Sequence, residues 1–199
     1  MHCKQYSKNA NEFVFNRQTY WHFWHLFAVQ LTNKYNQLFS TKMNYSFQVF
    51  AVGLNEFGQI GIKDKTDIST PVCLNNNKSK LPSGVKGIAA SKFHSVFWTD
   101  DELYTWGLNA GQLGQLNHDK IIHTPKLVSS LKGSRIQHLS SSDGAIVVLT
   151  HNGDLLALNE YQTRKIASKL SNVVKIQAVG GHLDPKALSK QSLLVDKGG

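Results

Sequence analysis

Cysteine is nearly absent. Cys3 and Cys73 are the only two in 199 residues. Two distant cysteines supply neither a disulfide framework nor a C-x-x-C zinc half-site, which points to a reducing compartment. Long apolar runs are missing too. The 16 uncharged residues between Arg17 and Lys34 are interrupted by Gln18, His22, His25, Gln30 and Asn33. That falls short of the roughly 18 to 20 predominantly apolar residues of a spanning helix, so no membrane span is expected. Lys4, Lys8 and Arg17 precede this stretch, but no small-x-small cleavage site follows it, which argues against a signal peptide. Runs of like charge are lacking as well. The net charge is +9, yet Lys63, Lys65, Lys78, Lys80, Lys120 and Lys132 are scattered, the pattern of a solvated basic surface.

What the chain does have is a repeat. Leu103-Tyr104-Thr105-Trp106 reads as a short strand, since aromatic and β-branched side chains suit a pleated surface. It runs into Gly107, Gly111 and Gly114, a density that neither helix nor strand explains. The same strand and the same Gly-x-x-Gly ending occur at 49–61, with Gly53, Gly58 and Gly61. Gly53 to Gly107 is a step of 54 residues, and so is Pro71 to Pro125. Such self-similarity is read before anything else.

Residues 1–46 lack the repeat and form an atypical aromatic-rich leader, expected to be irregular or helical. Trp21, Trp24 and Phe27 fall at helical spacing. His22 and His25 share that face but lack a third metal ligand. Residues 47–184 hold the repeats. His94-Ser95-Val96-Phe97-Trp98-Thr99 and Ala145-Ile146-Val147-Val148-Leu149-Thr150 are corresponding strands. The first turns back through Asp100-Asp101-Glu102, so that Trp98 and Trp106 are expected to face each other. The second is followed by Asn152-Gly153, a two-residue hairpin signal. A third copy is reduced: Asn159-Glu160-Tyr161 has no glycine turn, and Gly180-Gly181-His182 stands where Ser91-Lys92-Phe93-His94 stood. Residues 185–199 are a truncated tail. Four short strands per unit of 50-odd residues, without helical periodicity, predict an all-β fold: a partial β-propeller of about two and a half four-stranded blades.

These residues resemble the RCC1 repeat, named for the regulator of chromosome condensation. Trp106-Gly107-Leu108-Asn109, Gly111-Gln112-Leu113-Gly114, Pro125-Lys126-Leu127-Val128 and the hairpin glycine Gly153 match one unit. Gly53, Asn55, Gly58-Gln59-Ile60-Gly61, Pro71 and His94-Ser95 match another. Val52 in place of tryptophan, and one extra residue at Glu56-Phe57, are departures. The stretches from Asn159 to Ile166 and from Val179 to Asp184 are similar to the RCC1 region of the inhibitor of Bruton tyrosine kinase family. That resemblance implies a piece of a longer kinase-binding inhibitor and Cullin-3 ligase adaptor, with a Tec-family tyrosine kinase as partner. It places the protein in the cytoplasm, with the nucleus as the alternative. Neither ankyrin nor BTB sequence, which that family also carries, is found here.

The repeat positions Gly53, Asn55, Gly58, Gly61, Pro71, His94, Trp106, Gly107, Asn109, Gly111, Gly114, Pro125, Gly153 and Gly181 are therefore read as structural. No helix follows 107–114 to make a phosphate-binding loop. His94 and Ser95 have no partner carboxylate in the pattern, so a buried strand histidine is expected and no catalytic residue, cofactor or metal site is assigned. Tryptophans in strands and lysines in loops speak against nucleic acid. The expected function is a non-catalytic protein-interaction module, its binding carried by the variable loops at 62–68 and 116–122. The alternative is a guanine-nucleotide exchange factor or chromatin-binding protein, as some RCC1-type proteins are.

Overall fold

The computed structural model describes residues 13–15, 25–33, 45–64, 67–74, 82, 84–116, 119–179 and 192–197, with the backbone alone at 13–15, 25–33, 45–48, 174, 179 and 192–197. The described residues form strands and loops, with one short 3-10 turn at Ser129–Leu131. Strands β1 (Phe13–Phe15), β2 (His25–Asn33), β3 (Tyr45–Gly53) and β4 (Ile68–Cys73) make one antiparallel sheet in chain order. Strands β5 (Gly87–Ala90), β6 (His94–Trp98), β7 (Leu103–Leu108) and β8 (Ile121–Leu127) make the second. The third holds β9 (Ile136–Ser142), β10 (Ala145–Thr150), β11 (Leu155–Asn159) and β12 (Gln162–Ala167). Finally β13 (Val173–Val179) pairs with β14 (Ser192–Lys197). This is the expected propeller-blade architecture.

Two boundaries differ from the sequence reading. Within 1–46, the described residues are strands rather than helix: β2 pairs with β3 from His25↔Gly53 to Asn33↔Tyr45. A strand with an open edge recruits whatever extended chain precedes it, and that tertiary pairing overrides a helical spacing of three aromatics. Within 185–199, the last strand completes a two-stranded sheet rather than trailing as a tail. Among the described residues the sheets number three of four strands and one of two.

Strand alternation explains how the sheets stack. In β6 and β7, Ser95 lies opposite Trp106 and Phe97 opposite Tyr104, so these four share one face. Phe97 stacks on Tyr104 with ring centroids 4.7 Å apart and lies 5.7 Å from the Trp106 ring. Trp98 instead lies opposite Leu103 and Gly87, on the other face from Trp106. The two tryptophans therefore do not meet, because the Asp100-Asp101 turn sets a register in which their positions have opposite parity. Trp106 and Phe97 join Val49, Ala51 and Ile60 of the first sheet, and Ile146, Val148 and Leu158 of the third, in one buried cluster. The opposite face of the third sheet buries Val147, Leu149 and Leu155 against Val173, Ile176 and Ala178. The second and third sheets are thus buried on both faces, which accounts for apolar residues at both parities, as in β10, buried along its whole length.

The Asn152-Gly153 hairpin is wider than a two-residue turn. The Gly153 N–H donates to Thr150 O at 2.9 Å while the Thr150 N–H donates to Asp154 O at 2.9 Å. Gly153 has φ +77, so the loop is three residues, a turn closed by a left-handed residue.

Candidate interaction face

The repeated loops lie at one end of the sheets. Gly53 and Gly107 occupy matching places: Gly53 lies opposite Ile68 and Gly107 opposite Ile122, each just after a bulge, with φ +123 and +110. A Cβ on Gly107 would sit 2.5 Å from Phe93 O, so the backbone of the neighbouring hairpin excludes any side chain. In the loops that follow, the described residues 54–64 and 109–116 lie outside the ladders, and side-chain amides brace them. Asn55 Oδ1 accepts the Ile60 N–H at 3.0 Å, and its Nδ2 donates to Asp64 O. Asn109 Nδ2 donates to Asp119 O at 3.1 Å. Gln59 Oε1 accepts the Phe57 N–H at 2.9 Å, and Gln112 Oε1 the Ala110 N–H at 2.8 Å. The Gly-Gln step of the motif is thus a second internal brace, a role the sequence marked by repetition but did not reveal.

The loops also fasten one sheet to the next. Trp106 Nε1 and Ser95 Oγ both donate to Gln59 O, at 2.9 and 2.7 Å. A Cβ on Gly61 would lie 2.8 Å from Trp106 Nε1, and one on Gly114 would lie 2.7 Å from Leu158 Cδ2. Gly61 and Gly114 are therefore bare so that the following sheet can seat a large side chain on them. Gly58 lies beneath His123, and Gly111 beneath Glu160 and Tyr161, in the same relation. Pro71 and Pro125 sit on β4 and β8, outer strands where a missing N–H leaves no ladder bond unmade. Gly181 lies outside the described residues.

His94 is fully buried. Its Nδ1 lies 2.8 Å from Ser91 Oγ and accepts from Gln112 Nε2 at 3.3 Å; its Nε2 lies 2.9 Å from Ser141 Oγ on β9. Gln112 Nε2 also donates to Leu108 O at 2.7 Å, which fixes the amide orientation. Nδ1 is then the acceptor, and Nε2–H donates to Ser141. The histidine is a strut between the second and third sheets, as a buried strand residue should be. Ser141 carries no signal in the sequence, because the strut joins residues 47 apart across two sheets. Tyr104 is held neutral: burial, then the hydrogen bond to Glu102 Oε2 at 2.8 Å and the charge of that carboxylate, push its phenol up to about 12. Among the described residues no three His, Cys, Asp or Glu side chains gather as a metal site, and no helix is long and apolar enough to cross a membrane.

At the loop end two half-buried aromatics are set in a mixed-charge surface. Phe57 and Phe93 meet edge-on at 5.4 Å, Lys92 Nζ lies 4.9 Å over the Phe93 ring, and the Lys92 N–H donates to Asp143 Oδ1 at 2.9 Å. These contacts lace the first three sheets together along one rim. Beside them Leu116 is 77% exposed, with Glu56, Lys63, Asp67, Asp119 and Lys120 exposed on the same two loops. Of the loops expected to vary, the described residues of 62–68 and 116–122 are on this face, next to braced bases, while 65, 66, 117 and 118 lie outside the described residues.

The regulator of chromosome condensation (RCC1) repeat model matches residues 48–98 and 100–149. The inhibitor of Bruton tyrosine kinase of Xenopus laevis is 42% identical over 144 residues, 70% of this chain and 11% of that protein. The secretion-regulating guanine nucleotide exchange factor of Bos taurus is 34% identical over 113 residues, 55% of this chain and 23% of that protein. Among solved structures, human WBSCR16 superposes with a TM-score of 0.58 at 19% identity, over 77% of this chain and 40% of that one. The chain thus spans a small part of the curated relatives it matches. With two adjoining repeats matched by sequence and carried by the glycine, asparagine and glutamine geometry described above, the chain belongs to the RCC1-repeat family.

Proposed function

We propose that this chain is a non-catalytic interaction module of a kinase-binding adaptor, presenting the 62–68 and 116–122 loops to a tyrosine kinase of the Bruton type. The observation that carries the reading is the 42% identity to the Xenopus inhibitor of Bruton tyrosine kinase. The geometry supports it: the repeated polar residues are turned inward to brace loops, while Leu116, Lys63 and Lys120 are exposed beside them. His94 is fully buried with both ring nitrogens against serine hydroxyls, which keeps it from a substrate. By the same relationship the setting is the cytoplasm, and any link to Cullin-3 machinery belongs to domains other than these repeats. The identity to the bovine exchange factor favours a second reading, nucleotide release from a small GTPase.

The test mixes the chain with Bruton tyrosine kinase and, separately, with a small GTPase loaded with fluorescent nucleotide. Saturable kinase binding, weakened about tenfold or more by Leu116→Asp, with an unchanged rate of nucleotide release, is expected. Faster nucleotide release without kinase binding would replace this reading with the exchange factor.

A further inference from the structure

At the end of the sheets opposite the motif loops, a cleft of about 550 Å³ opens between the third sheet and the segment leading into β13. Its floor is Leu149 and Val173, both buried. Its rim is Gln137, His151, Asn152, Lys169, Ser171 and Asn172. Every polar side chain on that rim can donate a hydrogen bond, one is an ammonium, and none is a carboxylate. The acid next to it in sequence, Asp154, is ion-paired with Lys165 at 2.7 Å. No ion pair among the described residues involves Lys169 or Arg135. Arg135 adds a second cation to this end, its carbonyl accepting the His151 N–H at 2.9 Å.

The rim is also held in place at a conformational cost. Lys169 has φ +56 and Asn172 φ +57, a left-handed backbone that residues with side chains adopt rarely. The segment is pinned by the Leu170 N–H donating to Gly153 O at 2.9 Å. Gly153 itself cannot carry a Cβ, which would fall 2.3 Å from Leu170 O. Strained residues persist where surrounding structure over-determines them, and they gather where a ligand is met. A pinned, donor-rich and carboxylate-free rim over an apolar floor is the complement of a doubly charged oxyanion on a small organic group.

We propose that this cleft binds a phosphomonoester dianion, with the Lys169 ammonium as the charged contact, the rim amides and Ser171 hydroxyl as neutral donors, and Leu149 and Val173 beneath the ester-bearing carbon. The site lies at the end away from the 62–68 and 116–122 loops, so its standing does not depend on the kinase reading.

The experiment is a heteronuclear NMR titration of the full chain at ionic strength matched with potassium chloride. The probes are inorganic phosphate, a phosphoserine hexapeptide and the same peptide unphosphorylated. Saturable shifts at His151, Asn152 and 169–173 with the phosphorylated probes, at millimolar concentrations or below, are expected. Lys169→Gln should weaken binding about five- to tenfold with an unchanged far-ultraviolet spectrum, and Lys63→Gln, at the other end, should leave it unchanged. Tighter binding of the phosphopeptide than of phosphate supports the site and assigns its ligand to a protein side chain; the reverse order supports it and assigns a free small phosphate ester. The absence of saturable shifts, shifts equal for the unphosphorylated peptide, or binding indifferent to Lys169→Gln overturns the proposal.

Discussion

The second and third sheets solve one connection in two ways. Between β7 and β8 the chain takes the long loop of 109–120, built on Gly107, Asn109, Gly111, Gln112 and Gly114. Between β11 and β12, the same place one sheet later, it takes two residues, Glu160 and Tyr161, with φ +47 and +63. Both central residues left-handed is the tightest hairpin turn, normally made with Asn-Gly. The Tyr161 N–H reaches across to Gly111 O at 2.9 Å. A turn is therefore enough to connect the strands. What the long loop adds is the grip on the next sheet: Gly61 under Trp106 and Gly114 under Leu158. The third sheet has no such loop to offer the fourth, and the junction there rests on the smaller cluster around Leu149 and Val173. The motif is needed for joining sheets rather than for turning the chain.

That contrast can be broken most forcibly at the seated side chain. Trp106→Ala should destabilise by about 3–5 kcal/mol, since it empties a fully buried site and abandons the Gln59 carbonyl. Leu158→Ala, which loses apolar contact alone, should fall nearer 2–3 kcal/mol. Urea unfolding followed by tryptophan fluorescence and circular dichroism measures both; equal losses would dissolve the distinction between the two seats. The turn is the gentler probe. Replacing Glu160 with Asn and Tyr161 with Gly together should gain about 1 kcal/mol by removing left-handed strain, although it gives up the exposed Arg164–Glu160 pair, worth little at the surface. A loss in the same urea experiment would mean that Tyr161 secures the neighbouring loop by more than its backbone.

The smallest effect is one of pH. The Tyr104 phenol is raised from 10.0 to about 12 in the folded chain, mainly by burial and then by Glu102. Its neutral form is the one favoured by folding, so this contribution is complete below pH 10 and is lost as pH rises towards 12. Tyr104→Phe should flatten the decline of the thermal midpoint across that window. Parallel declines in the two proteins would remove the phenol from the account.

The parts of this fold legible in the sequence are those where one residue type answers one local demand. Gly107 must be bare because a Cβ there would fall 2.5 Å from Phe93 O, Asn55 must replace two ladder bonds, and both recur at a fixed step. The buried His94 was legible for a similar reason, but its partner Ser141 was not, since nothing in a chain records which sheet will lie beside which. The pairing of His25–Asn33 with β3 is not legible in the sequence, because only an open strand edge, a tertiary fact, makes that stretch extended. Trp98 and Trp106 were misjudged by one step of parity, which a two-residue turn decides. The cleft beside Lys169 rests on two unusual backbone angles, at Lys169 and Asn172, with no composition signal at all.

The matched repeats, 48–98 and 100–149, do not coincide with the sheets. Each begins in the third strand of one sheet and ends in the second strand of the next: 100–149 carries β7 and β8 together with β9 and β10. The second sheet is therefore a hybrid of two repeat units, β5 and β6 from one and β7 and β8 from the other. A duplication of one unit cannot add a free-standing blade; it inserts two half-sheets that must each find a foreign half. A newly copied unit is in this way committed to its neighbours from birth, and the interlocking that holds the present chain together is also the constraint under which such arrays lengthen.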